Sequence, residues 1–394
     1  MAPAPAQKPS LEDPVALTQA LVRCPSVTPQ EAGALELVKT LLSEAGFTVW
    51  RLPFGQVDNL YALRRGSPYH LMFAGHVDVV PVGEAAAWTH PPFGAEIHDG
   101  WLYGRGAEDM KGNIAAALVA AQDYLAQESA PITLSFLLTS DEEGPAIDGT
   151  RRVVDWLKRE GIQPDACLNL EPTARERPGD LLKIGRRGSL SAQLSSRGRQ
   201  GHVGYPQDAD NPLPDLARFA LALCSEPLDK GTEHFEPSNL ELTSLDVGNK
   251  TFNLIPASAS LRFNVRFNET WRHETLKAEL QRRLDSVGRA YQLEWQESAE
   301  AFLSPPEALA QPLARLIEHL LGAAPLLSTA GGTSDARFIR TLCPVVDLGL
   351  PARSLHQVDE RISVQELVQF STLLRQIIAR LPASIQASEL DGSG

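Results

Sequence analysis

The feature that most restricts the possible fold is an unbroken apolar run, PITLSFLLT, at residues 131–139. Its length and its content of Leu, Ile and Phe predict a strand buried on both faces, as in parallel sheets that are covered by helices. The neighbouring segments alternate between strand-like and helix-like patterns. We predict strands at 59–63, 70–74 and 166–170, and helices at 112–127 and 153–160. This alternation predicts an α/β fold with a mostly parallel sheet.

The pattern changes after residue 187. Residues 189–196 and 258–267 alternate between apolar and polar side chains, which is typical of half-buried strands. Together with helices predicted at 214–224 and 273–287, they suggest a ferredoxin-like α+β unit of β-α-β-β-α-β order. The first pattern returns near residue 302. We therefore predict a discontinuous α/β domain, at 1–187 and 302–394, that is interrupted by a smaller domain at 188–301.

Charge and composition argue against several classes of function. The net charge of −13 disfavours nucleic acid and anionic membrane surfaces as partners. No apolar run approaches the ~20 residues that a membrane-spanning helix needs. The first residues lack the basic and apolar segments of a secretory signal, and the four cysteines are scattered singly, without the spacing of a disulfide framework or a cysteine zinc site. The chain is predicted to be soluble and cytoplasmic.

A histidine and an aspartate follow one of the predicted strands, in Gly75-His76-Val77-Asp78. Since side chains alternate along an extended chain, His76 and Asp78 point to the same side. This arrangement suits a metal-binding imidazole whose second ring nitrogen is held by a carboxylate. By itself, the pair is more typical of a purely structural role.

Three successive carboxylates, Asp141-Glu142-Glu143, come directly after the apolar run. Carboxylates crowded at the end of a buried strand cost Coulomb energy unless a cation neutralises them. Adjacent residues of an extended chain point opposite ways, so one glutamate can bind a metal while its neighbour faces a substrate. The alternative interpretation is an exposed acidic turn.

Three more potential ligands lie in comparable places. Asp109 lies in a glycine-rich loop, GRGAEDMKG (104–112), where it could instead cap the following helix, and Glu171 and His356 follow further predicted strands. Open α/β sheets place their active sites at strand ends, so we expect these side chains to converge. Mixed His and carboxylate ligands suit Zn²⁺, with Co²⁺ and Mn²⁺ as alternatives.

These motifs resemble the di-zinc aminoacylase and carboxypeptidase family, which includes acetylornithine deacetylase. The resemblance runs from PSVTP (25–29) to His356, and its family-level motifs are GHVDVVP (75–81), GRGAEDMKG (104–112) and TSDEEGPA (139–146). Three further motifs resemble the desuccinylase branch of the family. They are IGRRGSL (184–190), QGHVGYP (200–206) and GGTSDARFI (331–339).

The resemblance implies a zinc-exopeptidase-like catalytic domain that holds two Zn²⁺ per subunit, for which Co²⁺ can substitute. Asp109 would bridge the metals, with His76 and Glu171 on one and Glu143 and His356 on the other. Asp78 would orient His76. Glu142 would be the general base that activates a metal-bridging water for hydrolysis of an N-succinyl amide.

The resemblance also assigns roles to the inserted domain. It would form a homodimer, across which His202 would stabilise the oxyanion in the partner's active site. The substrate's carboxylates would be bound by Arg187, Asn253, Arg266, Gly332 and Thr333. Two arginines suit such a substrate, because a guanidinium pairs with a carboxylate through two parallel hydrogen bonds.

Two motifs depart from the desuccinylase pattern, and the smaller departure is at Gly204 and Gln207. Ala352-Arg353-Ser354-Leu355 stands ahead of His356, where Asn-Ala-Thr-Ile is usual, and it adds a cation near the expected succinyl pocket.

We consider two alternative functions for the chain. The first is another N-acyl-amino-acid amidohydrolase, such as acetylornithine deacetylase. The second is a non-catalytic dimeric binding protein, which should have lost ligand residues that are all present here.

The remaining histidines match no ligand position of the family. We predict that they lie on the surface or in loops: His70, His90, His98, His234, His273 and His319.

Overall fold

A computed structural model describes residues 10–129 and 131–391. The first nine residues, part of the segment for which we predict no secretory signal, lie outside the described residues. The helices are α1 (Pro14–Val22), α2 (Ala34–Glu44), α3 (Gly112–Gln127), α4 (Thr150–Arg159), α5 (Leu213–Leu223), α6 (His273–Asp285), α7 (Ala310–Leu321), α8 (Ala336–Ile339) and α9 (Val364–Asp391).

The strands alternate with these helices in the first part of the chain and cluster after residue 180. They are β1 (Thr48–Arg51), β2 (Asn59–Arg64), β3 (Ser67–His76), β4 (Glu96–His98), β5 (Trp101–Tyr103), β6 (Ile132–Thr139), β7 (Ala166–Asn169), β8 (Leu181–Lys183), β9 (Gly185–Arg186), β10 (Gly188–Arg197), β11 (Gly201–His202), β12 (Asn239–Asp246), β13 (Leu254–Ile255), β14 (Ser258–Phe267), β15 (Gln292–Glu297), β16 (Phe302–Leu303), β17 (Leu326–Ser328), β18 (Val345–Asp347) and β19 (Arg361–Ser363).

The chain divides into two compact units. The first comprises the described residues of 1–184, 304–328 and 334–394, and the second comprises 185–303 and 329–333. The first unit is built on one eight-stranded sheet in the order β1-β2-β6-β3-β7-β18-β8-β17. The pairs β6/β3, β3/β7, β7/β18 and β8/β17 are parallel. The predicted α/β fold with a mostly parallel sheet is therefore confirmed.

The apolar run forms β6 in the interior of this sheet, where every residue except Thr133 is buried. Helix α3 is buried on all sides from Gly112 to Ala121 and packs against α1 and α9. Its many alanines allow this close approach, because they present little side-chain volume. The sheet and these helices form the apolar support beneath the strand ends that carry the polar clusters.

The second unit has a four-stranded antiparallel sheet in the order β12-β14-β10-β15. Strand β14 alternates between buried and more exposed residues, as its sequence predicts. Its buried side chains pack with those of α5 and α6 in one apolar core. The chain order β10-α5-β12-β14-α6-β15 confirms the predicted ferredoxin-like arrangement.

Two histidines do not lie where we predicted. His70 is a buried residue of β3 whose Nε2 lies 2.7 Å from Ser135 Oγ, and burial lowers its pKa to about 4. His273 is the buried first residue of α6, with Nε2 3.1 Å from the Ser189 carbonyl oxygen. Both predictions were wrong because the lack of a motif match says nothing about burial. Among the described residues, no helix is both long and apolar enough to span a membrane.

Candidate metal centre

The polar clusters of the first unit meet at the carboxyl ends of three adjacent strands. β3 ends at His76, the acidic turn Asp141-Glu142-Glu143 follows β6, and Glu171 lies two residues beyond β7. Because β6, β3 and β7 are parallel neighbours, their ends lie along the same edge of the sheet. The ligand atoms of His76, Glu142 and Glu171 lie within 4.8 Å of one another, as do those of His76, Asp109 and Glu143.

Asp109 occupies the centre of the site. It belongs to an irregular turn, Ala107–Lys111, just before α3, and it does not cap that helix. Its Oδ1 lies 3.1 Å from His76 Nε2 and its Oδ2 lies 3.3 Å from His356 Nε2. Each oxygen of this carboxylate thus faces a different histidine, as a carboxylate that bridges two cations would.

Each side of Asp109 has a further carboxylate. Glu171 Oε1 lies 3.9 Å from His76 Nε2, and Glu143 Oε1 lies 2.9 Å from His356 Nε2. His356 therefore contacts Glu143, Glu171 lies near His76, and Asp109 lies close to both histidines.

The three carboxylates of the acidic turn have different environments. The Asp141 carboxylate accepts hydrogen bonds from the backbone N–H groups of residues 146, 147 and 148 and so anchors the turn. Glu142 is half-buried beside His76 and Glu171, whereas Glu143 contacts His356. Only two of the three carboxylates therefore face the metal centre.

Asp78 contacts both His76 and the acidic turn. The carboxylate accepts hydrogen bonds from Glu142 N at 3.3 Å and Glu143 N at 3.1 Å. His76 Nδ1 lies 2.9 Å from the Asp78 carbonyl oxygen and 3.6 Å from Oδ1. Asp78 therefore positions the backbone of both glutamates and also borders the second nitrogen of His76.

A buried ion pair holds the two loops that carry Asp109 and His356. Arg105 Nη1 donates to Glu360 Oε2 at 2.6 Å, and Arg105 Nη2 donates to the His356 carbonyl oxygen at 3.2 Å. Glu360 Oε1 accepts hydrogen bonds from the backbone N–H groups of Glu108 and Asp109. His356 has a φ of +59°, which is uncommon outside glycine and requires such support from its surroundings.

Two residues of the motif ahead of His356, Arg353 and Ser354, form an ion pair and hydrogen bonds. Arg353 donates to both carboxylate oxygens of Glu366, at 2.6 and 2.8 Å, and to the Glu176 carbonyl oxygen. Ser354 N and Oγ donate to the buried Glu108 carboxylate. The added cation at position 353 is therefore neutralised by an ion pair within the first unit.

The electrostatics of the cluster fit divalent cations. Burial, and then repulsion from Glu142 and Asp109, raises the pKa of Glu171 well above its usual range. Burial also raises the pKa of Glu142 to about 8. Hydrogen bonds to Asp109 and Glu143 raise the pKa of His356 to about 10. The raised pKa values of these carboxyl groups and of the imidazole show that the site has an excess of negative charge. Bound cations would neutralise this charge and stabilise the site. The donor set of imidazole and carboxylate is one that Zn²⁺ accepts.

The other predicted site residues lie in the second unit. His202 is exposed in β11, which pairs with β13, and Val203 N donates to the Asn253 carbonyl oxygen at 3.1 Å. The ladder pairs His202 with Leu254, so Asn253 lies one position further along the opposite strand. His202 Nδ1 accepts a hydrogen bond from Gly204 N at 3.0 Å, which leaves Nε2 to carry the proton of the neutral ring.

Arg187 and Arg266 are neighbours in the same unit. Burial, and then repulsion from Arg187, lowers the pKa of Arg266. Arg187 Nη1 donates to Asn239 Oδ1, while its buried Nε has no hydrogen-bond partner among the described residues. Gly332 and Thr333 belong to this unit too, and the Gly332 carbonyl oxygen accepts from Arg186 Nη1 at 3.1 Å. Two adjacent guanidinium groups are suited to an anionic ligand.

Sequence reasoning missed the groups that support the ligands. Glu108, Glu360 and Arg105 are buried, and Asp141 holds a turn by its carboxylate. A signal was available for Arg105 and Glu108, since both lie inside the GRGAEDMKG motif. For Glu360 there was none, because its partners lie about 250 positions away along the chain.

Comparisons with known proteins agree with this geometry. The model of Peptidase family M20/M25/M40 matches residues 72–380. A succinyl-diaminopimelate desuccinylase of Rhodospirillum centenum is 51% identical over 374 residues, which cover 93% of this chain and 97% of that protein. A protein of the same name from Methylorubrum populi is 50% identical over 94% of this chain and 98% of its own length.

Solved structures share the fold at lower identity. Aminopeptidase PepT from Bacillus cereus has a TM-score of 0.76 and 19% identity, over 95% of this chain and all of that one. The Bacillus subtilis YXEP protein, described as a dinuclear metal binding peptidase, has a TM-score of 0.68 and 15% identity, over 94% of this chain and 98% of that one. The chain belongs to peptidase family M20/M25/M40, and it is a metal-dependent hydrolase of that family.

Proposed function

We propose that this chain hydrolyses N-succinyl-L,L-2,6-diaminopimelate to succinate and L,L-diaminopimelate, in the cytoplasm, as a step of diaminopimelate and lysine biosynthesis. The observation that carries the proposal is the identity of 50–51% with succinyl-diaminopimelate desuccinylases over 93–94% of the chain. The metal centre supports it, because every ligand position that the family resemblance implies has a suitable side chain in place.

Two zinc ions, for which cobalt can substitute, would be held by His76 and Glu171 on one side and by His356 and Glu143 on the other. Asp109 would be shared between them, since its two oxygens face the two histidines. Zinc in such a site supplies Lewis acidity, which makes water acidic near neutral pH and polarises a carbonyl group. The Asp78 carboxylate fixes the backbone of Glu142 and Glu143, because it accepts hydrogen bonds from both of their N–H groups.

Glu142 is the proton carrier of the proposed reaction. Its half-buried carboxylate lies beside His76 and Glu171, and its neighbour Glu143 takes the ligand position on the other side. Glu142 would accept a proton from the water that attacks the amide carbon. It would then deliver this proton to the amide nitrogen as the C–N bond breaks, giving succinate and a free amine.

The second unit would supply recognition of the substrate's carboxylates. Arg187 and Arg266 lie close enough to repel each other, and the Nε of Arg187 lacks a partner among the described residues. A carboxylate would satisfy that donor and relieve the repulsion. Asn253 and the Gly332-Thr333 turn would complete this set. The ion pair between Arg353 and Glu366 leaves no free charge at position 353 to change acyl-chain selection.

A direct substrate comparison tests this function. We expect kcat/KM for N-succinyl-L,L-diaminopimelate to exceed that for N-acetylornithine by at least about 10²-fold, because acetate lacks the carboxylate that the arginines would bind. Release of the free amine should be measured for both substrates with the same metal-loaded enzyme. Equal or faster hydrolysis of N-acetylornithine would mean that the chain is an acetylornithine deacetylase. Hydrolysis of neither would favour a binding protein.

We further propose that the protein is a homodimer through the inserted unit and that His202 acts in the partner's active site. The neutral His202 ring presents Nε2–H as a donor, as an oxyanion would require. Exposed apolar side chains accompany it, namely Val203, Tyr205 and Phe252. Exposed apolar groups next to a functional histidine are suited to burial against a second subunit.

Subunit exchange tests this arrangement. His202→Ala should be folded and metal-loaded but slower by about 10²–10³-fold, as is typical when one oxyanion donor is removed. If His202 acts across the interface, a heterodimer of His202→Ala and Glu142→Ala has one site with neither defect. Random mixing should then restore about a quarter of the wild-type rate, since half of the dimers are mixed and each has one intact site of two.

The matched control pairs Glu142→Ala with His356→Ala. Both defects then affect the subunit that carries them, so mixing should restore nothing. If the first mixture also restores nothing after exchange has been verified, His202 does not act in the partner's site.

A further inference from the structure

A second group of potential metal ligands lies away from the catalytic centre. His90, Glu96 and His98, here called the hairpin cluster, are carried by the segment that leads into β4 and by β4 itself. His90 Nδ1 lies 3.1 Å from Glu96 Oε2, and His98 Nε2 lies 2.9 Å from the same oxygen. The two imidazole rings are stacked, with centroids 4.1 Å apart and an interplanar angle of 19°. The three ligand atoms therefore lie within 4.8 Å of one another.

The spacing of these donors matches that of the catalytic cluster. There, histidine nitrogens and carboxylate oxygens are 2.9–3.9 Å apart. Two ligands that each lie ~2.1 Å from a tetrahedral zinc ion are separated by about 3.4 Å. The hairpin cluster thus needs only small side-chain movements to surround an ion of that size.

We propose that His90 Nδ1, the Glu96 carboxylate and His98 Nε2 form a further binding site for a divalent transition metal. Two imidazoles and one carboxylate suit Zn²⁺, Co²⁺, Ni²⁺ and Cu²⁺, whereas Mg²⁺ and Ca²⁺ prefer sites made of oxygen ligands. The side chains of Glu96 and His98 are exposed and that of His90 is half-buried, so an ion there would complete its coordination with water.

The hairpin cluster is joined to the loop that carries His356. Strand β5 pairs with β4 on one side and, on the other, with β19, which begins five residues after His356. Thr89 N donates to Asp359 Oδ1 at 2.8 Å, and Arg105 N donates to the Pro92 carbonyl oxygen at 2.7 Å. An ion in the hairpin cluster would therefore link His90 to β4, which belongs to the three-stranded sheet next to this loop. It would not contact the catalytic ligands.

Metal stoichiometry tests the proposal without relying on catalysis. Enzyme loaded with Zn²⁺ at the catalytic centre should be brought to equilibrium by dialysis against excess Zn²⁺, and the metal bound per chain should be measured by elemental analysis. We expect Glu96→Gln and the double variant His90→Ala/His98→Ala each to bind one equivalent less than wild type, with unchanged hydrolytic rates. His319→Ala, which removes an exposed histidine of α7 outside this cluster, should bind as much as wild type.

A spectroscopic titration locates the extra ion. Co²⁺ added to the zinc-loaded enzyme should produce a visible absorption band in wild type and in His319→Ala, and this band should be lost in Glu96→Gln. Equal metal content and equal spectra in wild type and both hairpin variants would overturn the proposal. An equal loss in His319→Ala would also overturn it, because the binding would then be unspecific. These outcomes do not depend on which substrate the enzyme hydrolyses.

Discussion

Glu142→Ala is expected to lose about 10²–10⁴-fold in turnover while it still binds as many metal ions per chain as the wild type. The proposed role of this carboxylate is to move a proton, and the ligand role is proposed for the adjacent Glu143, whose Oε1 lies 2.9 Å from His356 Nε2. The loss should therefore appear in kcat with a much smaller effect on KM, as when an interaction made only in the transition state is removed. Steady-state kinetics and elemental analysis of the purified variant give both quantities.

Glu143→Ala is the matched control, because it removes a carboxylate from the adjacent position of the same turn. It should lose metal as well as activity. If instead Glu142→Ala bound fewer ions than the wild type, the roles of the two glutamates would be exchanged. This outcome is a real alternative, since the Glu142 carboxylate lies within 4.8 Å of ligand atoms of His76 and Glu171.

Dialysis against a chelator should abolish hydrolysis, and Zn²⁺ or Co²⁺ should restore it. The physical reason is that Asp109, Glu143 and Glu171 crowd around two histidines, and burial of the carboxylates is favourable only when cations neutralise them. Mg²⁺ should restore far less activity, because it favours oxygen ligands in octahedral geometry over imidazole. Activity and bound metal should be followed together as Zn²⁺ is added back.

Circular dichroism of the dialysed protein provides the control, since loss of activity must be separated from loss of fold. The sheet and helices beneath the site are held by apolar packing, so we expect the spectrum to retain its α/β character. Full activity in protein shown to be metal-free would contradict both the proposed ligands and the proposed reaction.

Much of the architecture could be predicted because its signals are periodic and local. Helix α3 has the predicted bounds, 112–127, and β14 has the predicted bounds, 258–267. Short strands without a clear pattern were missed, among them β4, β5 and β19, which form a separate three-stranded sheet. Three-residue strands carry too few side chains to show a period, so only their pairing identifies them.

The candidate ligands could be named for a related reason. The carboxyl ends of parallel strands lie along one edge of the sheet. Polar residues that directly follow apolar strands are therefore close together, regardless of the conformation of the loops. His76 and Glu143 were found in this way, and the family resemblance then added their roles. The burial of His70 could not be foreseen, because one histidine within a strand gives no sign of its partner, Ser135, in the neighbouring strand.

The sequence by itself determined which elements form and which chemical groups stand at their ends, because apolar periodicity and residue type are properties of short segments. Only the tertiary structure decided what each acidic group does. Asp141 and Glu360 carry the same carboxylate group as Asp109 and Glu143. Their carboxylates, however, accept hydrogen bonds from backbone N–H groups and do not face the histidines. The difference depends on partners that are brought together from distant parts of the chain, as Glu108 and Ser354 are across 246 positions. The role of a buried carboxylate is set by the donors that surround it, and those donors are known only once the chain has folded.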